Sequence, residues 1–252
     1  MYRDLKNKNI ILTGGSGFLG KQIIAAFKLA GSNVIILDIK KPQNIKDLEY
    51  YKCDITNESK VRNVAKKIIK KNKKIDILIN NAASDYAPKN TSDDFSLENL
   101  KLDIWNKDLQ VGLNGSFICT KIFGSLMASK KKGVILNISS DLSIIAPNQD
   151  LYKSINFIKP VTYSVVKHGI NGLTKYTASY WADKNIRCNA IAPGGIFNNQ
   201  NKSFLKKIKK IIPLKRLAKK DEYNDLILFL CSESSSYMTG SIVVADGGRT
   251  II

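Results

Sequence analysis

Tyr163 and Lys167 lie four residues apart. On a helix that spacing places both side chains on one face, close enough to couple. A free tyrosine has a pKa of about 10, too high for a base near neutrality. An ammonium group beside it favours the phenolate and lowers that value, each pH unit corresponding to about 1.4 kcal/mol. Tyr163 would then take a proton from a hydroxyl group or return it. Such a pair alone is common on helix surfaces, so the chemistry depends on what stands around it. His168, the only histidine, reads as a helix-surface neighbour of Lys167 and receives no role. Cys53, Cys119, Cys188 and Cys231 are far apart, with no CxxC pair, so no metal site is expected and the thiols read as buried. That usage fits a reducing, cytoplasmic compartment.

A second group of residues concerns phosphate. The apolar run Ile10-Ile11-Leu12 leads into Thr13-Gly14-Gly15-Ser16-Gly17-Phe18-Leu19-Gly20, and a helical pattern follows. Glycines there allow a tight turn and close approach of a pyrophosphate, which the N–H groups of the following helix attract. Asp38 ends the next apolar run, about 20 residues further on, where an acid bonds the adenosine ribose hydroxyls of NAD and repels the 2′-phosphate of NADP. Lys40 and Lys41 partly offset that repulsion. NAD is the expected cofactor, ahead of NADP.

The elements that must position these residues alternate. Strand-like runs occupy 9–12, 33–37, 49–53, 75–79, 133–138, 186–191 and 241–245, and helical periodicity fills 18–30, 60–71, 163–182 and 221–230. This is the pattern of an α/β fold, a Rossmann-type doubly wound parallel sheet of about seven strands with helices on both faces. With 252 residues, no linker and no repeat, 1–252 reads as one domain. No apolar run reaches the roughly 18 residues of a membrane helix, and no secretory signal is read at the start. Two segments break the rhythm. One is the loop 144–160, with Pro147, Tyr152, Phe157 and Pro160; the other is 197–220, with nine basic residues and no acid. Long loops in a compact domain are usually functional. The formal charge of +19 comes from 40 basic residues, only five of them Arg, against 21 acids. That excess of Lys reads chiefly as compositional bias rather than as a nucleic-acid or membrane surface.

Taken in order, these residues resemble the short-chain dehydrogenase/reductase family over nearly the whole chain. Asp54 and Ile55 follow the third strand, Asn80-Asn81-Ala82-Ala83 resembles the motif after the fourth, and Asn114 lies in Val111-Gly112-Leu113-Asn114-Gly115. Ser140 ends Asn137-Ile138-Ser139-Ser140, Tyr163 and Lys167 form the YxxxK pair, and Pro193-Gly194-Gly195-Ile196 and Asp246-Gly247-Gly248 complete the set. The spacing Gly14, Gly17, Gly20 is similar to the extended branch of the superfamily, whereas length and C-terminal signature resemble classical members. The long loop and Lys159-Pro160-Val161-Thr162-Tyr163 resemble a bacterial subgroup tied to flagellin modification and nonulosonic acid gene clusters.

The resemblance implies hydride transfer between a nicotinamide cofactor and a hydroxyl or ketone, with Asn114, Ser140, Tyr163 and Lys167 as the catalytic set. Ser140 would bond the reacting oxygen, with Ser139 its adjacent competitor, and Asn114 would support a water chain that returns protons to solvent. Gly14, Ser16, Gly17, Phe18, Leu19, Asp38, Asp54, Ile55, Asn81, Ala82, Tyr163, Lys167, Pro193, Gly194 and Ile196 would hold the cofactor. Ser140, Tyr152 and Asn156 are the expected substrate contacts, beneath a lid at 197–220. The lid's lysines suit an anionic sugar-type substrate, or else they are the wet face of an amphipathic helix whose stripe is Phe204, Leu205, Ile208, Ile211 and Ile212. Two other readings compete: a 3-oxoacyl-carrier-protein reductase, disfavoured by Asp38 and the long loop, and a non-catalytic NAD-sensing regulator, disfavoured by the complete catalytic set. The family also implies pairing through the helices over 100–127 and 163–182 into a homodimer or homotetramer.

Overall fold

The computed structural model describes residues 2–43, 48–84 and 94–252. Seven strands form one parallel sheet: β1 (Asn9–Thr13), β2 (Asn33–Asp38), β3 (Glu49–Lys52), β4 (Ile77–Asn80), β5 (Gly133–Ile138), β6 (Ile186–Pro193) and β7 (Ile242–Ala245). Their order is β3-β2-β1-β4-β5-β6-β7. The winding reverses beside β1, and the crevice at the carboxyl ends of β1 and β4 is where such sheets bind ligands.

Helices cover both faces, which is why the central strands read as continuous apolar runs. They are α1 (Phe18–Leu29), α2 (Glu58–Asn72), α3 (Leu102–Ser129), α4 (Val161–Tyr180), α5 (Lys202–Ile208) and α6 (Asn224–Cys231). One face buries Ile11, Ile35, Leu78 and Ile135 against Val61 and Ile68 of α2 and Ile118 and Phe123 of α3. The other buries Ile10, Leu12, Ile36 and Leu136 against Ile23 and Phe27 of α1 and Ile227 and Leu230 of α6. Helix α3 is long and apolar enough to cross a membrane by length and composition, but 61% of its most apolar window is buried, so it packs as a core helix. Its ladder loosens twice into π-helical turns, at Gln110–Asn114 and Thr120–Gly124, a feature frequent at functional sites.

The two irregular segments pack on each other. The 144–160 segment is built of short 3-10 turns, and its Leu151 joins Ile208, Ile212 and Leu217 in a small separate core. Tyr152 stands between Phe157 and Phe204, with ring centroids 5.9 and 5.5 Å away. The apolar stripe at 204–212 therefore faces this small core from α5 and the 3-10 turn that follows it, and the Lys207 ammonium donates to the Asp150 carbonyl.

Candidate active site

The glycine loop joins β1 to α1. Gly14 has φ +67°, and a Cβ there would stand 2.7 Å from the Ala82 backbone. A Cβ on Gly20 would stand 2.4 Å from the Gly14 carbonyl, so the helix can approach the loop only as glycine. Gly17 begins α1 with no side-chain cap, which leaves the helix N-terminus to an anion. Phe18 is exposed and Leu19 half-buried in the first turn. The Asn81 amide donates to the Thr13 and Gly14 carbonyls, while the Asn81 and Ala82 N–H groups bond Thr13 Oγ1. The end of β4 is thereby pinned to the glycine loop.

Around that loop the other expected cofactor residues collect at the strand ends. The Asp38 carboxylate accepts the Ser16 N–H at 2.9 Å and the Lys40 N–H at 3.0 Å. Asp54 Oδ1 accepts from Thr56 N–H and hydroxyl. Ile55 is buried, and a Cβ at Gly115 would meet it at 2.5 Å. Pro193 ends β6, Gly194 N–H bonds Ala245, and Ile196 bridges Ala218 at the root of the lid. A bare helix N-terminus, glycines that tolerate no side chain and an acid at the end of β2 fit a nicotinamide dinucleotide.

The Tyr163–Lys167 pair lies in α4 beside a cleft lined by Ala83, Ser84, Asp108, Gly112, Lys159, Pro160, Thr162, Tyr163, Val166 and Lys167. The Lys167 ammonium donates to the Ile138 carbonyl at 2.8 Å and lies 5.8 Å from the Tyr163 ring centroid. Burial, with the nearby Lys159 charge adding to it, pulls the Lys167 pKa down to about 8. Asn80, Thr120, Asn137 and Thr174 form a buried hydrogen-bonded chain under the strand ends, fixing α3 and α4 to the sheet.

Ser139 and Ser140 separate clearly. Ser139 Oγ is engaged with Ser143, Asn171 and the Lys167 carbonyl, which makes it a clamp between β5 and α4. Ser140 is buried and does not line the cleft, its hydroxyl donating to Asp141 Oδ1 and accepting from Leu142 N–H. Asp141 is itself held by a buried ion pair, Arg249 Nη1 to Oδ2 at 2.6 Å. The C-terminal segment thus reaches the residue beside Ser140.

Three further expectations meet a different geometry. Asn114 is exposed and does not line the cleft. The cleft-facing positions of α3 are Asp108 and Gly112, one turn apart, and a residue two further on points some 200° round the helix. At Gly112 a Cβ would come within 2.5 Å of Val166. Tyr152 is committed to the packing of loop on lid, and Asn156 is an exposed left-handed turn residue; neither lines the cleft.

Sequence reasoning missed four residues here. Lys159 stands with its ammonium 3.7 Å from the Tyr163 ring centroid, and the Gln149 amide clamps its backbone by two hydrogen bonds. Asp108 is buried and accepts from Thr162 Oγ1. Asp141 and Arg249 complete the set. The four-residue spacing of Lys159 from Tyr163 was a signal available in the sequence; the pairing of Asp141 with Arg249 had none.

Comparison with known proteins gives the same picture. The family model described as enoyl-(acyl carrier protein) reductase matches residues 16–250. The chain is 31% identical to the 3-oxoacyl-(acyl-carrier-protein) reductase FabG of Thermotoga maritima, over 98% of this chain and 99% of that one. It is 31% identical to glucose 1-dehydrogenase 2 of Bacillus subtilis, over 100% and 98%, and 27% identical to the post-translational flagellin modification protein A of Campylobacter coli, over 97% and 98%. A short-chain dehydrogenase from Leptospira borgpetersenii solved with bound NAD+ superposes with a TM-score of 0.84 at 30% identity, covering 99% of this chain and 96% of that one. With the glycine loop, the strand-end Ser140 and the Tyr163–Lys167 cleft on one sheet edge, the chain belongs to the classical short-chain dehydrogenase/reductase family and is a nicotinamide-dependent oxidoreductase.

Proposed function

We propose that the enzyme uses NAD to oxidise a sugar-type hydroxyl, or reduces the corresponding ketone, with Tyr163 as the acid–base group. The observation that carries this reading is the cleft that joins Tyr163 to Lys167, with the Lys167 ammonium anchored on the Ile138 carbonyl two residues before Ser140. The nicotinamide supplies the hydride acceptor or donor. Ser140 holds the reacting oxygen, its hydroxyl direction set by Asp141 and the Leu142 N–H. Tyr163 takes or returns the hydroxyl proton, and the positive charge of Lys167 favours its phenolate.

Asp38, fixed by the Ser16 and Lys40 amides, supports NAD over NADP because its charge opposes a 2′-phosphate. Gly14, Ser16, Gly17, Phe18, Leu19, Asp54, Ile55, Asn81, Ala82, Pro193, Gly194 and Ile196 complete the cofactor site. A sugar-type substrate is supported by relatives named glucose 1-dehydrogenase 2 and flagellin modification protein A. The loop 144–160 and the lid 197–220 form the substrate side of the one domain, and the lid's lysines suit an anionic substituent. The reductase of carrier-bound 3-oxoacyl chains is the rival; the same Asp38 opposes the NADPH that this activity generally uses. Four buried free thiols fit a reducing, cytoplasmic setting. Exposed Phe117 on α3 and Val165, Tyr176 and Tyr180 on α4 supply apolar surface for a homodimer or homotetramer.

The test is Tyr163→Phe. Hydride transfer should vanish in a screen of sugar alcohols with NAD+, while NADH titration by fluorescence stays close to wild type. Full turnover in the variant would remove Tyr163 from the mechanism.

A further inference from the structure

Oxidation leaves a proton on the Tyr163–Lys167 pair, and each turnover must pass it to solvent. Asn114 stands exposed, off the cleft that holds this pair. One turn before the cleft-facing Gly112, α3 presents Asp108, 6% exposed. Its Oδ2 accepts from Thr162, the residue before Tyr163, and its Oδ1 has no hydrogen-bond partner among the described residues. Leaving a buried carboxylate oxygen unpartnered is costly, so it calls for a ligand with a donor. Asp108 lines the same cleft as Tyr163, Lys167 and Lys159.

We propose that Asp108 is the positioning residue for proton exit: its Oδ1 holds, as hydrogen-bond acceptor, the water through which the proton of the Tyr163–Lys167 pair reaches solvent. The inference rests on the assignment of Tyr163 as acid–base group. In oxidation the substrate hydroxyl proton passes to the Tyr163 phenolate as the hydride leaves. The proton then moves by way of Lys167 to the water on Asp108, which hands a proton to bulk solvent, and the phenolate is restored. In reduction the same path runs inward. No electron is moved along it.

The geometry explains three local features together. Gly112 leaves the wall beside Asp108 without a side chain, because a Cβ there would strike Val166. Thr162 holds one carboxylate oxygen and leaves the other without a partner. Among the described residues four ionisable groups line the cleft: Asp108 from α3, Tyr163 and Lys167 from α4, and Lys159 from the preceding loop. Burial already draws the Lys167 pKa towards neutrality, to about 8, where an amine exchanges protons readily.

The experiment compares Asp108→Val with Asp108→Asn in the holoenzyme, using kcat, KM, the buffer dependence of turnover and the melting temperature without cofactor. Asp108→Val should lower kcat on the order of 100-fold with KM and NADH affinity unchanged, and a small diffusible base such as imidazole should restore turnover in proportion to its concentration. Asp108→Asn keeps an acceptor oxygen and the Thr162 bond, so it should recover most of the lost kcat and fold even where the valine variant does not. An unchanged kcat in Asp108→Val overturns the proposal, as does a loss that neither imidazole nor asparagine restores. A dead Tyr163→Phe beside a fully active Asp108→Val would reject this proton path and leave the assignment of Tyr163 standing.

Discussion

Lys167 is a fully buried amine whose pKa is drawn down to about 8, and this makes a catalytic group a thermodynamic burden. In the unfolded chain its pKa returns to about 10.4. Below pH 8 both states carry the proton and the fold bears the whole cost of burying the charge. Between about 8 and about 10.4 the folded protein has lost the proton while the unfolded chain keeps it, so stability climbs with pH. Above that range the cost has gone. The interval is worth about 3 kcal/mol. Lys167→Met removes the charge at similar volume. It also removes the bond to the Ile138 carbonyl, a loss of about 1–3 kcal/mol if that oxygen stays unpaired. At pH 7 the two effects nearly cancel, so the inactive variant should be as stable as wild type or up to about 2 kcal/mol more stable. Towards pH 10.5 it should become the less stable of the two, the difference having moved by about 3 kcal/mol. Urea unfolding of the cofactor-free proteins across this range reads that change, because titrations not coupled to Lys167 cancel in the difference. Parallel curves for the two proteins would refute the reasoning.

Other perturbations reach different parts of the site. Arg249→Met leaves Asp141 buried without its ion partner and should cost about 3–5 kcal/mol, roughly 6–20 °C in melting temperature for a chain of this size. Adding Asp141→Asn should recover most of that loss; a single-variant cost below about 1 kcal/mol would show the pair to be unimportant. Asp38→Ala should weaken NADH binding and raise the relative affinity for NADPH, and a wild-type enzyme that already prefers NADPH in parallel titrations would contradict the role given to Asp38.

Periodicity made the sheet legible. The strands fall where strand-like runs occur, and the central ones are apolar because a sheet covered on both faces demands it, whereas the edge strand β3 is Glu49-Tyr50-Tyr51-Lys52; the glycine loop and the YxxxK pair stand on this frame. Local spacing failed where contact crosses the fold. Asn114 was placed by a motif that says nothing about rotation around a helix, whereas the cleft face of α3 is set by Gly112 packing on Val166. The loop at 144–160 breaks the strand–helix rhythm in the sequence, yet Leu151 and Tyr152 bind it to the lid's apolar stripe, an association between segments some 50 residues apart that neither announces alone. The Asp141–Arg249 pair joins residues 108 apart and has no local signature at all.

That last pair sets an order of events in the making of the enzyme. Asp141, which accepts from the Ser140 hydroxyl, receives its counter-charge from Arg249, beyond the last strand. A nascent chain that has completed β6 and α4 still holds Asp141 without its partner until Arg249 has been made. Competence therefore arrives only after β7, and a variant lacking Arg249 would keep its motifs while losing the guanidinium that steadies the residue beside Ser140.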